Sequence, residues 1–186
     1  MLRLLALGFL KLTGWESEGA RPADRRFVLI AAPHTTNWDL PYLLALSFAL
    51  DVRVSWMGKH AMFRPPLGWL MRRLGGIPVI RNQSQNMVSQ MAATFDGVEE
   101  LALVVPAEGT RGYVAHWKSG FYHIARSAKV PIVMGYLDYA RKRGGFGPAL
   151  RVTGNVRQDM DEIREFYSDK IGLYPEKFGE IRLKEE

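Results

Sequence analysis

The sequence contains 186 residues, of which 47% are hydrophobic, and it has no cysteine. This length suits one domain with a substantial core. The missing thiols exclude disulfide bonds, thiolate metal sites and a cysteine nucleophile. The formal net charge of +6 favours anionic partners, such as nucleic acid, acidic lipid or phosphorylated small molecules.

The first fifteen residues, MLRLLALGFLKLTGW, form an apolar segment interrupted by Arg3 and Lys11. The segment is shorter than the roughly 20 apolar residues that a membrane-spanning helix needs. On a helix the two cations share one side, as in helices that lie on a membrane surface. An ordinary terminal helix packed on the domain is the alternative, and a signal peptide is disfavoured because a polar, acidic stretch follows. We predict a short amphipathic helix over residues 1–15, with the protein peripheral to the membrane on its cytoplasmic face.

Apolar runs and helical stretches then alternate along the chain. The predicted strands are 27–32, 52–57, 77–81, 101–106, 130–137 and 150–156. The predicted helices are 40–50, 67–73, 85–95, 119–127 and 160–171. This alternation predicts a single α/β domain over residues 1–186, with a mostly parallel sheet flanked by helices. The charged tail after Pro175 is predicted to be peripheral, and a binding site is expected at the carboxyl ends of the strands.

The segment HTTNWD places His34 just after the first predicted strand and Asp39 in the first turn of the next helix. A strand-to-helix turn, capped by Thr36 or Asn37, would bring the two side chains together. A carboxylate on one imidazole nitrogen leaves the other nitrogen to take a proton from a hydroxyl. By itself, Thr36-x-x-Asp39 is equally consistent with a simple capping box.

The segment AEGTRG directly follows the predicted strand 101–106, so it lies at the same edge of a parallel sheet. Gly109 allows backbone to approach a ligand closely. Arg111 offers two parallel donors to a phosphate. Glu108 is a candidate to hold Arg111 or a substrate hydroxyl. In isolation, the segment also fits a turn with a surface ion pair.

Four sequence blocks, taken in order, make the chain resemble the glycerolipid acyltransferases of the lysophosphatidic-acid acyltransferase type. They are HTTNWD (34–39), GKHAMFRPPLG (58–68) with GGIPVIR (75–81), EGTR (108–111) and VPIV (130–133). The second block carries Lys59, Phe63 and Arg81 at the matching places. WKSGFYHIA (117–125) resembles the segment between the third and fourth blocks, and the resemblance covers a motif-bearing core over residues 27–139.

The resemblance implies transfer of a fatty acyl chain from acyl-CoA or acyl-carrier protein to the free hydroxyl of a lysophospholipid. The implied acceptor is 1-acylglycerol-3-phosphate, giving phosphatidic acid. His34 is then the general base and Asp39 orients it. The implied substrate-binding residues are Lys59, Phe63, Arg81, Glu108, Gly109, Thr110, Arg111 and Lys118. The resemblance implies no covalent enzyme intermediate, no metal and no cofactor.

Three alternatives stay open at this point. The first is an acyl-thioester hydrolase, in which the same His-Asp pair activates water. The second is an acyltransferase for another lysolipid, and the third is a lipid-binding protein with a degenerate site. Nucleic acid is not an expected partner, because the basic residues are spread along the chain and no recognised binding module occurs. The oligomeric state is left open.

A second candidate for membrane contact is AMFRPPLGWLMRR, residues 61–73. Aromatic and other apolar side chains interleave with three arginines in this segment, a mixture that suits the boundary between lipid and water. A core-facing helix with a solvated basic side would show a similar composition. A membrane surface is therefore an expected partner of the protein.

Overall fold

The computed structural model describes residues 2–79 and 84–186. Within them, seven strands form one sheet: β1 Glu16–Glu18, β2 Arg26–Ala32, β3 Val54–Lys59, β4 Gly76–Val79, β5 Leu101–Val105, β6 Ile132–Asp138 and β7 Arg143–Leu150. The strand order is β1-β7-β6-β2-β5-β3-β4. The five strands from β6 to β4 are mutually parallel, whereas β7 runs antiparallel to β6 and β1 follows the direction of β7.

The described helices are α1 Leu2–Thr13, α2 Asp39–Ala49, α3 Gly68–Arg73, α4 Ser84–Ala93, α5 Gly120–Ala128 and α6 Val156–Tyr167, with short 3-10 turns at His60–Phe63 and Pro175–Lys177. They cover both faces of the sheet. The predicted single α/β domain with a mostly parallel, helix-flanked sheet and an N-terminal helix is thus confirmed.

The helices form two layers, one on each face of the sheet. Successive residues of β2 point to opposite faces and therefore pack against different helices. Val28 and Ile30 face a core to which α4, α5 and α6 also contribute side chains. Phe27 and Leu29 face the opposite core, against α2 and α3. Both cores are well excluded from water, and each fully buried aliphatic side chain contributes about 1.5–3 kcal/mol to folding.

The first helix lies on the outside of α2. Ala6 and Leu10 are one helical turn apart and pack against Leu46 and Ala49 of α2. The leucines on its other sides face outward: Leu2, Leu4, Leu5, Leu7 and Leu12. Within the described parts of the chain, no helix is both long enough and apolar enough to cross a membrane.

The predicted strand over residues 150–156 is wrong. Leu150 is the last residue of β7, and Asn155 caps α6 by accepting a hydrogen bond from the Gln158 backbone N–H at 3.3 Å. The glycine-rich sequence of β7 resembles a loop, but its backbone pairs with β6, and this pairing overrides the low strand propensity of glycine. The last helix accordingly begins at Val156 rather than at residue 160.

The prediction of a peripheral C-terminal tail is also wrong. Leu183 is only 1% exposed and lies in the same core as Trp117. The Trp117 backbone N–H donates to the Arg182 carbonyl at 2.8 Å, which fixes the tail against the domain. Apolar residues spaced among the tail's charges, Phe178 and Ile181, also pack on this core.

Candidate active site

The candidate site lies where four neighbouring parallel strands end. His34 follows β2, Glu108 to Arg111 follow β5, Lys59 ends β3 and Tyr139 follows β6. The carboxyl ends of parallel strands meet at one edge of a sheet, which is where such folds bind ligands. The strand order β6-β2-β5-β3 therefore gathers segments that are far apart in sequence.

The predicted pairing of His34 with Asp39 is present. His34 Nδ1 lies 3.0 Å from Asp39 Oδ2, and the two side chains are 17% and 7% exposed. Asp39 is the first residue of α2, so the strand-to-helix turn folds the carboxylate back towards the ring. With Nδ1 engaged by the carboxylate, Nε2 is the nitrogen left for a substrate. This arrangement is that of a general base with an orienting acid.

The predicted helix cap is wrong in position: Trp38 is the N-cap residue and forms no side-chain cap hydrogen bond, while the Thr36 hydroxyl accepts a long hydrogen bond from the Trp38 backbone N–H at 3.4 Å. Instead, Asp39 Oδ2 also accepts a hydrogen bond from the Thr36 backbone N–H at 3.1 Å. Asp39 thus completes only the reciprocal half of a capping box. The consequence is a closed loop between His34 and Asp39, in which the carboxylate holds one imidazole nitrogen.

Tyr139 is a site residue that the sequence did not reveal. Its hydroxyl donates to Asp39 Oδ1 at 2.7 Å, across a separation of 100 residues. Burial, followed by the nearby Asp39 charge, raises the pKa of Tyr139 above its ordinary value, so the phenol stays a donor. Its position just past the end of a predicted strand was the only available signal, because the sequence does not give the strand order.

Glu108 is fully buried, contrary to the prediction that it binds Arg111 or a substrate hydroxyl. Its Oε1 accepts a hydrogen bond from the His34 backbone N–H at 2.7 Å. Its Oε2 is buried without a hydrogen-bond partner in the described parts of the chain. Burial, together with the charge of Asp39, raises the pKa of Glu108 to about 8. Glu108 therefore anchors the loop that carries His34, and its burial favours the protonated carboxyl at neutral pH.

Replacing Glu108 with Gln should remove a pH-dependent contribution to stability. A carboxyl whose pKa rises from 4.5 to about 8 on folding destabilises the folded state increasingly as pH rises through that interval. We expect the wild type to lose a few kcal/mol of unfolding free energy through this group, and Glu108→Gln to lack that loss. Denaturant unfolding at about pH 5, 7 and 9 measures the difference. The exposed Glu162→Gln substitution is the control, and parallel stability curves for wild type and Glu108→Gln would contradict the assignment.

A cavity of about 490 Å³ opens beside the His-Asp pair, between α2 and the sheet. Exposed Lys59, Thr110 and Arg111 line its solvent side together with His34. Its apolar wall includes Ala31, Leu40, Leu43, Trp56, Val104 and Leu137. Ala31 pairs with Gly135 across β2 and β6, and both of these small residues line the cavity. The size is typical of a pocket for a small organic ligand.

The remaining predicted site residues differ in where they lie. Gly109 lines the cavity at a positive φ of 70°, and a Cβ there would come within 3.0 Å of the Lys118 Cγ. Lys118 is exposed, with its aliphatic stem beside Gly109, whereas Phe63 is buried in the core against Trp56. Phe63 and Lys118 do not line the cavity. Arg81 lies outside the described residues.

The chain is similar to known proteins both in family and in fold. A family model described as Acyltransferase matches residues 16–135. Among solved structures, the chain is similar to the crystal structure of PlsC, the 1-acyl-sn-glycerophosphate (LPA) acyltransferase from Thermotoga maritima, with a TM-score of 0.62 and 15% sequence identity. The alignment covers 89% of this chain and 74% of PlsC, and at this identity the similarity is one of fold.

No curated protein sequence is significantly similar to the chain. The family match nevertheless spans well over half of the 186 residues and includes the His34–Asp39 pair, the EGTR segment and most of the cavity wall. The chain therefore belongs to the acyltransferase family, as its four ordered sequence blocks predicted.

Proposed function

We propose that this acyltransferase moves a fatty acyl chain from acyl-CoA or acyl-carrier protein to the free hydroxyl of a lysophospholipid, with 1-acylglycerol-3-phosphate as the acceptor. The observation that carries the proposal is the His34–Asp39 pair, which lines an apolar cavity also bordered by the cationic Arg111 and Lys59. A base, an apolar cavity and a cationic border match the hydroxyl, the acyl chain and the phosphate of such a reaction.

The proposed chemical step uses His34 as the base. His34 Nε2 removes the proton of the acceptor hydroxyl as its oxygen attacks the thioester carbonyl carbon. The carbon–sulfur bond breaks, and the proton passes from the imidazole to the departing thiolate. Asp39 stabilises the imidazolium that forms between these two proton transfers, through the 3.0 Å contact with Nδ1. No covalent acyl-enzyme is involved.

The cavity wall fits an acyl chain better than it fits a headgroup. Leu40 and Leu43 of α2 face Ala31 and Val104 of the sheet, and Trp56 lies on the same wall. Burying a chain against such a surface contributes about 0.8 kcal/mol for each methylene group. The wall therefore supports a long-chain fatty acyl group as the transferred unit.

The cationic border fits an acceptor that carries a phosphate. Arg111 and Lys59 are exposed and line the cavity from the ends of the adjacent strands β5 and β3. Within residues 2–79 and 84–186, Arg111 forms no ion pair with a carboxylate. An arginine that is not paired with a neighbouring carboxylate is well suited to bind a phosphate monoester with two parallel hydrogen bonds.

An acceptor panel tests the proposal. Purified protein would receive a long-chain acyl-CoA with lysophosphatidic acid, lysophosphatidylcholine or monoacylglycerol, and the diacyl products would be identified by mass spectrometry. We expect the highest kcat/KM with lysophosphatidic acid. A preference for lysophosphatidylcholine or monoacylglycerol would contradict the proposed acceptor. The same panel with acyl-carrier protein as the donor identifies the physiological carrier.

We also propose that the protein binds the membrane peripherally through the α1 and α3 side of the sheet. Leu4 and Leu12 of α1 are 74% and 90% exposed, and Trp69 of α3 is 66% exposed. Exposed Arg64 and Arg73 flank Trp69. Apolar side chains enter the interfacial layer of a bilayer, and arginines beside them attract anionic lipid headgroups.

Substitutions on this side should weaken binding to anionic vesicles. We expect Leu4→Asp and Trp69→Ala each to reduce the fraction that sediments with phosphatidylglycerol vesicles, with about a tenfold lower partition coefficient for Leu4→Asp. Val98→Asp is the control, because Val98 is also exposed but lies before β5, at the opposite edge of the sheet from the site. Equal sedimentation of all variants would contradict the proposed membrane face.

A further inference from the structure

The Asp39 carboxylate is held from three directions. His34 Nδ1 and the Thr36 backbone N–H both contact Oδ2, at 3.0 Å and 3.1 Å. The Tyr139 hydroxyl donates to Oδ1 at 2.7 Å. The first two contacts come from the loop that Asp39 itself closes, whereas Tyr139 lies in the segment that follows β6. Tyr139 is thus the contact that ties the Asp39 carboxylate to the end of a neighbouring strand rather than to its own loop.

Tyr139 is itself held firmly in place. Its ring meets Trp15 edge-on with centroids 4.9 Å apart and meets Tyr42 at 5.9 Å. Trp15 stacks on Tyr42 at 4.3 Å, so the three rings form one aromatic cluster. The Tyr139 backbone N–H also donates to the Ile171 carbonyl at 2.8 Å. A donor fixed by packing and by its backbone directs its hydrogen bond without loss of side-chain freedom at each turnover.

We propose that Tyr139 is a positioning residue for the acyl-transfer reaction. Its hydroxyl fixes the Asp39 carboxylate and, by donating a hydrogen bond, reduces the negative charge that the carboxylate presents to His34. The proposal rests on the proposed function of the His34–Asp39 pair. Tyr139 does not touch the substrate; it acts through Asp39 on the orientation of the imidazole and on how strongly the protonated ring is held.

Loss of the hydroxyl should therefore change two measurable quantities. The Asp39 carboxylate keeps two of its three donors in Tyr139→Phe, so kcat should fall by about 5- to 20-fold rather than by the full effect of losing the base. Without the phenol, the carboxylate holds the protonated imidazole more strongly, and the acidic limb of the kcat/KM profile should move up by roughly half a pH unit. The acyl-CoA KM should stay unchanged.

The charged and titratable groups around Asp39 in the described parts of the chain are few. They are His34 from the same loop, Tyr42 from α2, Lys59 at the end of β3, Glu108 and Arg111 from the segment after β5, and Tyr139 after β6. Tyr42 belongs to the same aromatic cluster, and in the described residues its hydroxyl is not among the donors to Asp39. Tyr42→Phe is therefore a matched control that removes a neighbouring hydroxyl and leaves the Asp39 contacts in place.

The experiment measures kcat, KM and pH profiles for wild type, Tyr139→Phe and Tyr42→Phe with acyl-CoA and lysophosphatidic acid. A double-mutant cycle with Asp39→Asn accompanies it. If Tyr139 acts through Asp39, removing its hydroxyl in the Asp39→Asn background should have little further effect, giving a clearly non-additive cycle. Wild-type kinetics in Tyr139→Phe, equal losses in both Phe variants, or an additive cycle would each overturn the proposal.

His34→Ala separates this proposal from the one on which it rests. If His34→Ala is inactive and Tyr139→Phe behaves as wild type, the positioning role fails while the proposed reaction stands. If His34→Ala remains active, the proposed function itself fails.

Discussion

Substitution of His34 by alanine is expected to lower kcat by roughly 10²- to 10⁴-fold, the contribution of a general base. The change removes the imidazole but keeps the backbone N–H that Glu108 binds at 2.7 Å. Asp39 retains its contacts with Thr36 and Tyr139. The loop should therefore stay closed, and the loss should report the missing base rather than a collapsed site.

The measurement is steady-state kinetics at saturating acyl-CoA, with thermal unfolding as a check on folding. His123→Ala is the control, because His123 lies on α5, which packs on the opposite face of the sheet from α2. We expect His123→Ala to stay within about twofold of wild type. Wild-type activity in His34→Ala would refute the role of the His-Asp pair as the base in this reaction.

Substitution of Arg111 by alanine is expected to raise the KM for lysophosphatidic acid by about 10- to 100-fold, the effect of losing a charge-assisted contact to phosphate. The kcat should change little if the guanidinium binds ground state and transition state equally, and should fall if the contact also orients the hydroxyl. The KM for monoacylglycerol, which has no phosphate, should stay unchanged. Arg111→Lys should lie between wild type and Arg111→Ala, because lysine keeps the charge but not the paired geometry.

The control for charge is Arg151→Ala. Arg151 is exposed and pairs with Asp24, before β2 and therefore at the opposite edge of the sheet from the site. The ratio of the KM for lysophosphatidic acid to the KM for monoacylglycerol reports the binding of the acceptor phosphate separately from any general loss of activity. If that ratio is the same in wild type and Arg111→Ala, Arg111 does not bind the acceptor phosphate.

The features that the sequence predicted correctly are local. His34 and Asp39 are five residues apart within one strand-to-helix turn, so their contact follows from the turn alone. The parallel sheet follows from apolar runs that alternate with helical segments. The placement of Gly109 and Arg111 beside the cavity follows from their position directly after a strand, because parallel strands end at a common edge.

The features that the sequence did not predict depend on strand order and burial. Tyr139 reaches Asp39 because β6 is adjacent to β2, and nothing in the local sequence encodes that adjacency. In sequence, Glu108 resembles a surface partner for Arg111. In the fold, β5 pairs with β2, and the Glu108 carboxylate after β5 accepts a hydrogen bond from the His34 backbone N–H after β2. The sequence does not predict strand β7, because its glycines have a low strand propensity and the strand is specified by its pairing with β6.

The sequence does not predict the cavity wall either, for a related reason. Leu40 and Leu43 look like ordinary core positions of an apolar helix, and Trp56 looks like a core residue of a buried strand. They border an open volume whose sheet side includes the small residues Ala31 and Gly135. A cavity is therefore a property of paired surfaces, which a single segment does not show.

The most direct test of the central claim is the stoichiometry of the reaction. Purified protein would be given a long-chain acyl-CoA with and without lysophosphatidic acid, and free thiol and phosphatidic acid would be measured in the same sample. We predict thiol release that requires lysophosphatidic acid and equals the phosphatidic acid formed, and that is lost in His34→Ala. Thiol release at the same rate without any acceptor would contradict acyl transfer and identify a thioester hydrolase.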